Sequence, residues 1–224
     1  MAEQILPEVY RKSSDYSVNY NFTDVEEGTG VVVFYAGKET SSNVLSNKTF
    51  YSNRVSTWLL MSSQVNYTKD IDVDFDVVFN MPKDAKGKAI LSVPWGFEGL
   101  ALNNNYRAYV IARIRKWDGA TETEIASVQS ETINYTPTVG MALKKHFMSA
   151  LDITVPLTHY KAGETLRLTI EVWCYNSLSG AYIILAHDPM NRVTSDLDGL
   201  TPTGLPDWTG YPTNLILNMP FRIN

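Results

Sequence analysis

The sequence predicts an all-β protein: an antiparallel sandwich of jelly-roll type with about ten strands and at most one short helix. Three observations carry this expectation. The stretch 158–175 alternates with period two, sending Leu166, Leu168, Ile170, Val172 and Cys174 to one side and Arg167, Thr169, Glu171, Trp173 and Tyr175 to the other. Successive strand side chains face opposite sides of a sheet, so one face is buried and the other amphipathic. The same pattern recurs along the chain between short turns, such as Trp117-Asp118-Gly119-Ala120, where Asp-Gly readily takes the positive φ of a hairpin. Finally, strands do not alternate with helical segments, which excludes a parallel α/β sheet.

Residues 1–16 read as an N-terminal arm and 17–224 as one domain. Strands are expected at 17–25 and 30–36, joined by the turn at 26–30, then at 48–52 and 56–62 after a polar loop at 38–47. A long alternating strand at 69–81 stops at Pro82, and 83–87 reads as a turn. The strand at 88–95 returns, with Pro94 marking an edge or bend, and 96–105 is an Asn-rich loop. Strands at 106–117 and 122–135 form a hairpin. The segment 141–150 fits either a helix or a strand, 151–155 is a strand closed by Pro156, and the alternating strand of 158–175 follows. Strands at 181–186 and 213–223 flank a long irregular stretch, 187–212, of a length that usually signals function or disorder.

The chain has 224 residues and a single cysteine, Cys174, which rules out an intrachain disulfide and reads as a small core hydrophobe. The N-terminus lacks the basic and apolar regions of a secretory signal, and no apolar run is long enough for a membrane-spanning helix. Synthesis in a cytoplasm without a signal peptide is the expectation. A net charge of −5 argues against direct nucleic-acid binding.

Asp70, Asp72, Asp74 and Asp76 share one strand face. A calcium site is one reading, but a strand spaces such side chains too far apart for one ion, which favours a solvated acidic stripe balanced by a neighbouring strand or subunit. Arg107, Arg113 and Arg115 could supply that balance. The histidines, His146, His159 and His187, show no zinc spacing, and no G-x-S-x-G elbow occurs. His187-Asp188 is the best acid–base pair, although Asp188-Pro189 is equally a turn. Gly28-Thr29-Gly30 lacks the Lys and helix of a phosphate loop. Trp95, Phe97, Tyr106, Trp208 and Tyr211, with Asp188, are candidates for an interface or a glycan platform; the competing reading is that the aromatics plug the ends of the sandwich. No catalytic residue and no cofactor is expected, and the chain reads as something other than an enzyme.

The runs Glu27-Gly28-Thr29-Gly30-Val31-Val32-Val33-Phe34-Tyr35, Trp117-Asp118-Gly119 with Thr121-Glu122-Thr123-Glu124-Ile125-Ala126, and Lys161-Ala162-Gly163-Glu164-Thr165-Leu166-Arg167 resemble β-sandwich virion structural proteins of tailed or archaeal viruses. The resemblance implies a capsid, capsid-decorating or tail-associated protein located in the virion. It also implies self-association as a homotrimer or larger assembly, alongside other virion proteins. A carbohydrate- or receptor-binding β-sandwich, with a glycan as partner, is the alternative.

Overall fold

The computed structural model describes residues 18–19, 28–100, 105–137, 142–176, 180–192 and 211–222. These residues are all-β, with no helix among them. The strands are β1 (Val18–Asn19), β2 (Thr29–Glu39), β3 (Ser42–Ser46), β4 (Ser56–Leu60), β5 (Thr68–Val78), β6 (Lys83–Leu100), β7 (Tyr106–Trp117), β8 (Glu122–Gln129), β9 (Ile133–Tyr135), β10 (Ala142–Tyr160), β11 (Thr165–Asn176), β12 (Ala181–Ala186) and β13 (Ile216–Arg222). They form one mixed, open sheet in the order β4-β12-β6-β13-β2-β3-β5-β11-β7-β8, with β1 on β2, β10 on β6 and β9 on β7. Every ladder is antiparallel except the pairing of β3 with β5 at Val44 and Asp76.

Strand β11 lies between β5 and β7. Its five inward residues, Leu166, Leu168, Ile170, Val172 and Cys174, are completely buried, as the alternation requires. They belong to one core with inward residues of β2, β5, β6, β7, β12 and β13. Ring contacts run through that core: Phe34 and Phe79 both meet Phe221 edge-on, and Phe97 of β6 lies 5.5 Å from Tyr106 of β7. Cys174 is buried, and burial raises its thiol pKa well above the ordinary value, so it stays a thiol.

The turns form where their residues permit. Asp118 Oδ1 accepts from the N–H groups of Ala120 and Thr121, and Gly119 takes φ +97° to close β7 onto β8. Gly163, at φ +88°, turns β10 into β11, with Lys161 N–H donating to Glu164 Oε2.

Several expected boundaries differ. The segment 38–47 is a tight hairpin of β2 and β3 around Thr40 at φ +47°, because the Ser- and Asn-rich run still pairs Glu39 with Ser42. The segment 48–52 is irregular. The segments 83–87 and 96–100 belong to the single long strand β6, and 142–150 is strand, since β10 pairs with β6 from Ala142 onward. Prolines mislead here because each sits at a break in the ladder. Pro94 lies where the neighbour of β6 changes from β13, which ends at Ser92, to β12, which begins at Trp95. Pro156 falls at a bulge of β10 opposite 85–87 of β6, and Pro220 at an irregularity of β13 opposite 85–90. The arm at 1–16 lies outside the described residues.

Candidate functional site

The outward side chains of β11 and its neighbours form a charged surface. Cross-strand register sets Arg167 opposite Asp76, Thr169 opposite Asp74 and Glu171 opposite Asp72. Arg167 donates Nε to Asp76 Oδ1 and Nη2 to Asp76 Oδ2, each at 2.8 Å, and Nη1 to Glu122 Oε1 at 2.9 Å. Thr169 donates to Asp74 at 2.5 Å, and Lys69 holds Asp72 at 2.5 Å. The acidic stripe is thus balanced within the chain, mainly by Arg167 on the adjacent strand. Arg107, Arg113 and Arg115 lie one strand further away: Arg113 serves Glu171 and Glu124, Arg115 serves Glu122, and Arg107 lies over the Tyr175 ring. Among the described residues, no group of three His, Cys, Asp or Glu is placed to hold a metal ion.

Glu171 is the buried centre of this surface. Burial pushes its carboxyl up, but hydrogen bonds from Arg113 and Trp173 and the charges of Arg113 and Lys69 outweigh that, so its pKa lies below the usual value. Beside it the Tyr109 and Trp173 rings stack nearly parallel, at 8° with centroids 6.2 Å apart, and Tyr67 contacts both Tyr109 and Tyr175. Trp173 and Tyr175 are legible in the sequence as alternate positions on the polar face of β11, whereas Tyr67 and Tyr109 join them only through strand pairing.

The aromatics expected at loops are placed differently. Trp95, Phe97 and Tyr106 are fully buried, because the stretch read as a loop after Trp95 continues as β6 and keeps its alternation. Asp188 is also buried. Its carboxylate accepts from the N–H groups of Met190 and Arg192 and from the Arg192 guanidinium, so it holds a turn rather than an interface. Tyr211 is 42% exposed and meets His146 edge-on at 4.9 Å. Trp208 lies outside the described residues.

Each histidine is committed to a partner. His187 Nε2 is 3.1 Å from Thr57 Oγ1, and Phe75 packs against its ring. Burial lowers its pKa to about 4, so it is neutral near pH 7. Asp188 turns away to Arg192, and His187 Nδ1 has no partner, so no nucleophile–His–acid relay forms there. His159 Nδ1 meets Asp84 at the surface, at 2.6 Å. His146 Nε2 meets Glu98 Oε1 at 2.6 Å in a buried pair.

A second surface contrasts with the first. The outward residues of β10, β6, β13 and β2 are Met148 and Ala150, then Ile90, Ser92 and Pro94, then Ile216 and Asn218, then Val31, Val33 and Tyr35. Ile90 and Met148 are 46% and 41% exposed. Charge returns at one end, where Lys88 pairs with Asp152 at 2.6 Å. A mainly apolar sheet face rimmed by an ion pair has the character of a surface that another body covers.

The sequence matches no family model and no curated protein. The fold is shared with solved hydrolases. An α-amino acid ester hydrolase aligns at 7% identity with a TM-score of 0.51, covering 86% of this chain and 36% of that one. An aminopeptidase from a marine sediment archaeon, Thaumarchaeota archaeon, aligns at 6% identity with a TM-score of 0.51, covering 88% and 37%. A CocE/NonD family hydrolase from Staphylococcus aureus aligns at 12% identity with a TM-score of 0.48, covering 86% and 36%. The chain therefore spans little more than a third of the length of these proteins. The expectations of a capsid or decoration protein and of a chain unrelated to enzymes are corrected by this result: the fold recurs in hydrolases. The turn and strand runs behind the viral resemblance are local features that any antiparallel sheet uses, so they did not discriminate between the two.

Proposed function

We propose that the chain is the β-part of a hydrolase acting on ester or amide bonds, a two-layer sandwich of jelly-roll type that packs against a catalytic body supplied by another segment or another chain. The carrying observation is the shared fold: it takes in most of this chain and only about a third of an ester hydrolase and an aminopeptidase. Two features of the chain support the division. Its three histidines are tied to Thr57, Glu98 and Asp84, the Glu98 pair being buried. The apolar face of Ile90, Met148, Ile216 and Val33 offers the catalytic body a surface to cover.

The test uses the tagged chain in an extract of its source. Captured material is assayed with L-alanine p-nitroanilide and p-nitrophenyl esters. The expected result is hydrolytic activity retained by the wild type and lost by the double variant Ile90→Lys/Met148→Lys. Equal activity with both contradicts the proposal, and none with either rules out a body supplied by another chain.

A further inference from the structure

At the β4–β12 end of the apolar face, two buried polar atoms lack hydrogen-bond partners. Glu98 is completely buried. Its Oε1 accepts from His146, while its Oε2 has no hydrogen-bond partner. Register places Tyr182 of β12 directly opposite Glu98, with its side chain on the same sheet face. Trp58 of β4 meets the Tyr182 ring edge-on at 5.3 Å, and its indole Nε1–H is likewise buried and unpartnered. The Tyr211 ring meets the His146 ring edge-on at 4.9 Å. Gly96 sits beneath: a Cβ there would lie 2.6 Å from the Lys145 carbonyl and 2.7 Å from the His146 ring, so only glycine lets β10 bring His146 to Glu98.

An unsatisfied carboxylate oxygen in a buried site is costly, and so is an unsatisfied indole N–H. The two have opposite needs. Glu98 Oε2 requires a donor, preferably cationic; Trp58 Nε1–H requires an acceptor. The Trp58 and Tyr182 rings lie on one side of the Glu98–His146 pair and the Tyr211 ring on His146, and ring faces attract ammonium groups. From the register, the Trp58 and Glu98 Cα atoms lie on the order of 12 Å apart, two strands across and one pair along. Two long side chains reduce that span to small-molecule width.

We propose that Glu98, Trp58, Tyr182 and Tyr211, with His146 positioning Glu98, form a binding site for a small ligand carrying a primary ammonium group next to a carbonyl oxygen. The ammonium bonds to Glu98 Oε2, and the carbonyl accepts from Trp58. Tyr211, the exposed member, moves aside for entry. The site belongs to the β-part itself and stands independently of the hydrolase reading, since binding is measured here with no catalytic partner present.

Calorimetric titration of the purified chain with L-alaninamide, methylammonium and N-acetyl-L-alaninamide tests it. Saturable binding of L-alaninamide is expected, with methylammonium about tenfold weaker for want of the Trp58 bond, and no binding of the acetylated analogue. Glu98→Gln should abolish binding, whereas Trp58→Phe should reduce L-alaninamide to the level of methylammonium. Should either variant fail to fold, the wild type still decides: the Trp58 indole resonance, followed by nuclear magnetic resonance, shifts with L-alaninamide and not with the acetylated analogue. Absence of saturable binding, or an unmoved indole resonance, overturns the proposal and leaves an ordered water as the partner of both atoms.

Discussion

Arg167 grips Asp76 with two parallel hydrogen bonds of 2.8 Å across the β11–β5 ladder, and the same guanidinium reaches Glu122 on the strand after β7. One side chain thereby ties together three strands that are far apart in sequence. Bidentate pairing is a property of the planar fork, not of the charge alone. Arg167→Lys should therefore cost about 1 kcal/mol and Arg167→Ala about 1–2 kcal/mol, modest values because the pair is partly exposed. Urea unfolding of both variants, with Asp76→Asn as the other corner of a double-mutant cycle, measures this; additive losses would show that the pair contributes nothing of its own.

His187 gives the fold a pH dependence of known sign. Its folded pKa of about 4 lies below the ordinary 6.5. Between those values the unfolded chain binds a proton that the native chain does not, so stability falls as pH drops through that window and is fully present above it. The loss approaches the order of 3 kcal/mol by pH 4. Below that, Glu171, Glu164 and Glu124, whose carboxyls are held down in the fold, lose their contribution as they protonate. Unfolding free energies measured from pH 7 to pH 4 should show this slope in the wild type, and His187→Asn should flatten it whatever its effect at pH 7.

Gly96→Ala tests the contact between β6 and β10. The new methyl group would meet the backbone oxygen of Lys145 at 2.6 Å, and a paired backbone cannot swing away as a side chain would. A loss of about 1–3 kcal/mol is expected. Gly119→Ala, at φ +97° with open space around it, should cost only backbone strain of about 1 kcal/mol. Thermal melts that ranked the two in the opposite order would count against the close approach.

Much of the all-β class was legible in the sequence because it rests on alternation, which every buried strand must obey. The inward set of β11 from Leu166 to Cys174 and the Asp118-Gly119 hairpin were readable from residues alone. Boundaries were not, and prolines were the reason. Pro94, Pro156 and Pro220 look like strand ends, yet each occupies a ladder break created by strands distant in sequence. That one error turned 96–100 into a loop and placed Trp95 and Phe97 at the surface. The pairing of Glu98 with His146 was hidden for the same cause, since it needs β10 to run beside β6, and a strand was only one of two readings of 141–150. The apolar outer face was invisible because Ile90, Met148 and Val33 share it only through register.

The exposed residues of that face should tolerate charge. Ile90→Lys and Met148→Lys, both on surface positions, should each change stability by no more than about 0.5 kcal/mol. A large loss would mean that the face is part of the chain's own core and not a surface for another body.

The most direct test of the account is therefore the capture experiment with wild type beside Ile90→Lys/Met148→Lys, read by turnover of L-alanine p-nitroanilide and p-nitrophenyl esters. The account predicts captured hydrolytic activity with the wild type, its loss with the folded double variant, and no turnover by the purified chain alone. Turnover by the isolated chain, or a hydrolase retained equally by both proteins, would contradict it.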